Sequence, residues 1–254
     1  MTAPGRLTLA DAGEAADLAA FLGRLIHYDR AAAVRLQVGA GAVAVFGRPP
    51  SFEVLAVRTS RLAVAAAVGG GGGGAGGGDA AGAGAGAGEL DVTVSAGELL
   101  EGIEESTGVV VVPAAVTGPP WAGMLPPRGG WQQVPGLPEP EAMRAAVAAA
   151  VAEFRARDGA LAPEDRTRAA RDRIGREIWS RTLGETELPL RAVHAAQSLG
   201  FLRLGSAGAG AGAGGAGAGA VALLAAGGWL RLRTPYGSIA VRRAGLGVLS
   251  VAPV

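Results

Sequence analysis

Two tracts made almost entirely of glycine and alanine, Gly69 to Gly88 and Gly205 to Ala220, set the limits on what this chain folds into. They hold 21 of its 44 glycines and interrupt segments that otherwise read as sheet. Side chains this small bury too little apolar surface to offset the entropy of ordering, so each tract is expected to be a surface connection. What remains suffices for one large domain or two small ones, and with 49% apolar residues it can build an interior.

Composition removes chemistry. All 23 basic residues are arginine, and Lys, Asn and Cys are absent. Schiff bases, thiolate nucleophiles, disulfides, cysteine zinc sites and Walker A loops are thereby excluded. Gly210-Ala211-Gly212-Ala213-Gly214-Gly215 fits the GxGxxG spacing, but a dense Gly/Ala repeat matches by chance, and the acid required about twenty residues on is missing. No cofactor and no metal site is expected. His27 and His194 are the only histidines. His27 ends the first helix, where a cation suits the dipole, and an enzyme using His27 with Asp29 and Arg30 is one alternative reading.

The 27 uncharged residues from Leu204 to Leu230 are mostly Gly and Ala, so no membrane span is predicted. Asp11, Glu14 and Asp17 stand where a signal peptide needs an apolar run, which points to the cytoplasm. Charge is uneven: residues 1–136 carry a net −4 and residues 137–254 a net +5, with no acid beyond Glu187. The basic half permits contact with an anionic surface.

Periodicity predicts an α+β chain: a helix plus antiparallel sheet in the N-terminal half, and three helices followed by a β-hairpin in the C-terminal half. Thr8 reads as the cap of a first helix running to Tyr28, with Leu18, Leu22, Leu25 and Ile26 inward. Val34–Val38 and Val43–Phe46 read as a hairpin, followed by strands at Phe52–Arg58 and Leu62–Val68. Leu90–Val94 leads into a capping box at Ser95 and Glu98, with Leu99, Leu100 and Ile103 inward, and Val109–Val112 closes the half. Residues 113–140 hold 8 of the 15 prolines, so they are expected to be an extended connection outside any ladder. Helices follow at Glu141–Arg157, Pro163–Thr182 and Leu188–Gly200, then a hairpin, Trp229–Arg233 and Ile239–Arg243, around Thr234-Pro235-Tyr236-Gly237. The domains are then 1–117, a strap at 118–140, and 141–254.

The run Thr93-Val94-Ser95-Ala96-Gly97-Glu98-Leu99-Leu100 within this order of elements resembles one repeat of the ring-shaped DNA sliding clamps. Ser198-Leu199-Gly200-Phe201-Leu202, followed by Trp229 to Gly237, is similar to the recognition helix and wing of winged helix-turn-helix regulators. That resemblance implies Arg191 and Gln197 in the major groove and Arg231, Arg233, Arg242 and Arg243 on phosphates. Local runs such as His27-Tyr28-Asp29-Arg30 and Ile178-Trp179-Ser180-Arg181 resemble uncharacterised proteins of high-GC actinobacteria. The leading expectation is a non-catalytic cytoplasmic protein that binds another protein through Trp121, Arg128 and Trp131 of the strap. DNA binding by the C-terminal half is the alternative.

Overall fold

The computed structural model describes residues 5–50, 52–63, 90–203 and 220–243. Both Gly/Ala tracts except Ala220, the GxGxxG match, and the expected strand beyond Ala63 lie outside the described residues.

The first strand, Arg6–Thr8 (β1), precedes the helix Ala12–Tyr28 (α1). Thr8 therefore does not cap the helix. Its carbonyl accepts from the Ala63 N–H at 2.8 Å, and the cap is Asp11, whose carboxylate accepts from the Glu14 N–H at 2.9 Å. Leu18, Leu22 and Leu25 are buried, as their spacing requires. Ala33–Gly39 (β2) and Ala42–Gly47 (β3) form a hairpin. Ala40 and Gly41, with φ of 49° and 73°, supply the left-handed pair that a two-residue turn between right-twisted strands needs. The next strand, Leu55–Arg61 (β4), starts three residues later than Phe52, because Glu53 turns the chain with φ 51°. Asp91–Ser95 (β5) runs into the helix Ala96–Glu101 (α2), with Ser95 accepting from the Glu98 N–H. Leu99 packs inward, whereas Ile103 belongs to a strand, Ile103–Glu104 (β6), which pairs with Val109–Val111 (β7). With β1 these make a small separate sheet.

The proline-rich connection is not wholly outside the ladder. After a 3-10 turn at Pro120–Gly123, Gln132–Val134 (β8) pairs with a later strand, since the seven residues between Pro127 and Pro135 include no proline and all retain their N–H groups. Pro140–Gly159 (α3) starts on a first-turn proline and buries Met143 and Val147. Pro163 forms only a 3-10 turn, and the next helix, Arg168–Trp179 (α4), begins at the Thr167 cap. Leu190–Ser198 (α5) follows, then Ala222–Ala226 (β9), Trp229–Thr234 (β10) and Gly237–Arg242 (β11). No helix among the described residues is long and apolar enough to cross a membrane.

The two halves share one eight-stranded sheet, ordered β5-β2-β3-β4-β11-β10-β9-β8 and antiparallel at every pairing. Each half contributes a helix, α1 or α5, followed by a three-stranded meander whose last strand is central. Register aligns Val134, Leu223, Leu232, Ile239, Ala56, Gly47, Val34 and Val94 in one row across all eight strands. This apolar face packs with all five helices into one core, in which each fully buried Leu, Ile or Val contributes about 1.5–3 kcal/mol.

A charged clamp also ties the halves on this side. Arg58, 7% exposed at its side chain, donates to Glu14 at 2.9 Å, lies 3.3 Å from Asp17 and donates to the Tyr236 carbonyl at 2.9 Å. Arg203 bonds Asp17 and covers the Tyr236 ring. Toward the outside, Arg157 and Arg181 clasp Glu153 and Glu177 between α3 and α4. The hydrogen bonds from these guanidiniums hold both carboxyls below the usual glutamate range.

Candidate functional site

Side chains that alternate away from the helical core define the opposite sheet face. One row there runs Ala222, Arg233, Ser238, Val57, Phe46, Arg35 and Thr93. The next contains Gln133, Leu224, Arg231 and Ala240, and beyond it Trp229 stands opposite Arg242.

Residues 113–131 cross this face from one edge of the sheet to the other. They start at β5, where Ala115 bridges Val94 and the Val116 N–H donates to the Thr93 carbonyl. In the 3-10 turn the Ala122 carbonyl accepts from Arg35. Trp121, Leu125 and Trp131 then pack against Leu55, Trp229 and Ala240, and β8 follows at the far edge. Trp131 is held further by its indole N–H, which donates to the Pro127 carbonyl at 3.0 Å. Both Trp121 and Trp131 are half-buried, whereas Met124 between them is 56% exposed.

Polar groups gather at two places on the face. At the β5 edge Arg35 makes a forked contact with Asp91, at 2.6 and 2.8 Å, and Gln37 adds a bond to the same carboxylate. The hydrogen bond from Arg35 is the main reason that the Asp91 carboxyl lies below its ordinary range, and the nearby Arg128 charge lowers it further. At the C-terminal end Arg231 donates its Nε to the Ser238 hydroxyl at 2.8 Å and lies 5.6 Å from the Trp131 ring centroid. Arg242 covers Trp229 at 4.5 Å, and the Nε of Arg233 is buried without a hydrogen-bond partner. Burial, and then the like charge of Arg233, lower the pKa of Arg231. Among the described residues none of these three arginines has an ion-pair partner. Arg243, by contrast, holds Glu187 at 2.6 Å.

The structure thus brings Trp121, Trp131, Arg231, Arg233 and Arg242 to one face, with Arg128 on the strap above it. Arg191 and Gln197 are elsewhere. They belong to α5, whose Ala192, Val193, Ala195 and Ala196 are sealed into the core on the other side of the sheet. The β10–β11 hairpin differs from a wing as well, because it is interior to the sheet and hydrogen-bonded along both sides. Trp229 and Ser238, which orient the arginines, had only one sequence signal: Trp229 shares the period-two phase of Arg231 and Arg233, and Ser238 that of Arg242.

The two histidines lie apart from this face. His27 is exposed beside Tyr28, at a shallow cleft of about 360 Å³ that also includes Arg24 and Ser198. His194 stacks on Trp179 at 4.3 Å and meets Phe52 edge-on, and burial lowers its pKa. No group of three or more metal-ligating side chains occurs among the described residues.

Residues 2–123 match the family model of DUF8010 and residues 126–246 that of DUF8185. The chain carries two domains of unknown function. The DUF8010 match ends and the DUF8185 match begins inside the strap, yet the shared sheet passes from one to the other at β4 and β11. The DUF8185 part supplies the three arginines, and the DUF8010 part supplies Trp121, Arg35 and Asp91. No curated protein and no solved structure matches the chain.

Proposed function

We propose that this is a non-catalytic, cytoplasmic binding protein, and that another protein docks on the strap-covered sheet face. The carrying observation is the strap itself. It lays Trp121 and Trp131 over the sheet, leaves both rings half-accessible, and raises Met124 between them to 56% exposure. Aromatic and Met side chains beside arginines, on a rigid sheet, are the composition of a recognition surface.

Met124→Asp tests this reading, because an exposed residue is changed and the packed rings are left alone. It is expected to keep the wild-type melting temperature while losing the proteins that wild-type chain retains by affinity capture. Trp121→Ala with Trp131→Ala should lose them too. An unchanged set of captured proteins in both variants refutes the assignment.

A nucleic-acid reading is favoured by one observation, the gathering of Arg231, Arg233 and Arg242 on one face. It requires a complex that weakens steeply as salt rises. Absence of any shift of duplex or single-stranded DNA at low salt eliminates it.

A further inference from the structure

Building on the protein-binding reading, we propose that Arg242, Arg231 and Arg233 form a linear site for an extended acidic segment of the partner. The segment presents Asp or Glu side chains at alternate positions. Arg231 is central, and Arg233 lies two residues along the same strand, about 7 Å away. Arg242 stands opposite Trp229, which puts it diagonal to Arg231 on the other side, at roughly 7–8 Å. An extended peptide repeats its same-side side chains at about the same interval.

The guanidiniums are positioned before any ligand arrives. Arg231 is fixed through Nε to Ser238, so that among the described residues its terminal nitrogens make no hydrogen bond, and Arg242 rests on Trp229. The Arg233 Nε is desolvated without a partner. Among the described residues the fold therefore holds three like charges side by side, two of them half-buried, with no ion-pair partner. Carboxylates supply the missing charge and match the planar fork of arginine.

Single-stranded nucleic acid has a comparable charge spacing, but its binding depends on open aromatic faces that stack bases. Here Arg242 covers Trp229, and Trp121 and Trp131 each pack one side on the sheet, so neither half-accessible ring can be sandwiched between bases. The chemistry therefore favours a peptide.

A capped peptide of about ten residues alternating Glu and Ser is titrated into the full chain at low salt, with binding read from tryptophan fluorescence. Saturable binding that weakens with salt is expected, with affinity falling at least about tenfold in Arg231→Gln and in Arg242→Gln. Arg242 is exposed, so the second variant stands if the first fails to fold. A peptide of the same composition with its glutamates in adjacent pairs should bind at least about threefold more weakly. The proposal is overturned by no saturable binding, by equal affinity for the two peptides, by undiminished affinity in Arg242→Gln, or by tighter binding of a single-stranded oligonucleotide of equal charge. If Met124→Asp loses the captured proteins while Arg231→Gln with Arg242→Gln retains them, the strap reading survives and the acidic-segment site does not.

Discussion

Replacing Arg58 with Met removes one charge from a clamp that joins both halves while nearly preserving side-chain volume. The Arg58 side chain is 7% exposed, and its guanidinium contacts Glu14, Asp17 and the Tyr236 carbonyl. Deleting one partner of a buried ion pair costs about 3–5 kcal/mol, largely because the other charge stays behind. The lower end applies, since Glu14 keeps Arg61 at 3.1 Å and Asp17 keeps Arg203 at 2.9 Å. A loss of about 3 kcal/mol, at roughly 2–4 °C per kcal/mol for a chain of this size, lowers Tm by about 6–12 °C. Thermal and urea unfolding, followed by circular dichroism and tryptophan fluorescence, measures it. Glu14→Gln alone and combined with Arg58→Met completes a cycle, with a coupling energy of about 1–3 kcal/mol expected. A melting shift under about 2 °C, or strictly additive effects, refutes the clamp.

Two further perturbations probe packing and pH. A Cβ on Gly237 comes within 2.6–2.8 Å of three Phe201 ring carbons, so Gly237→Ala should destabilise by about 1–3 kcal/mol, whereas Gly228→Ala, with nothing within 4 Å, should stay within about 0.5 kcal/mol in the same urea titration. Burial depresses the His194 pKa, so the unfolded chain takes up its proton first: stability is full above the ordinary imidazole range and declines as pH falls through it toward the lower folded value. His194→Phe should remove that part of the pH dependence of urea midpoints, and an unchanged slope counts against it.

Much of the fold was legible where one residue pattern dominated. Period two in Val34–Val38 and helical spacing from Leu18 to Leu25 each name a buried face, and Ser95 with Glu98 places a helix start. Boundaries failed where two residues competed for one role. Thr8 and Asp11 are both good caps, and only the pairing of Thr8 with Val109 across the small sheet decides between them. Pro163 is a sound first-turn residue, yet Thr167 takes the cap and the helix begins after it. Eight prolines over residues 113–140 predict a segment outside any ladder, yet none falls within Gln132–Val134, and an edge strand paired on one side needs no more than that. The strap tryptophans and hairpin arginines read as two separate sites. Nothing local signals that β4 and β11 pair, and that pairing makes one face of both halves.

The β4–β11 pairing also governs how the protein is made. During synthesis β4 leaves the ribosome long before Gly237–Arg242 exists, and at about 5–20 residues per second the delay is on the order of ten to thirty seconds. Through that interval the inner edge of the first meander offers unpaired N–H and C=O groups beside the apolar row of Ala56, an open template for other nascent chains. Docking of β11 is a contact between distant parts of the sequence, so it is slow and comes late. Truncation within the last hairpin should therefore leave not a working N-terminal half but an aggregating one.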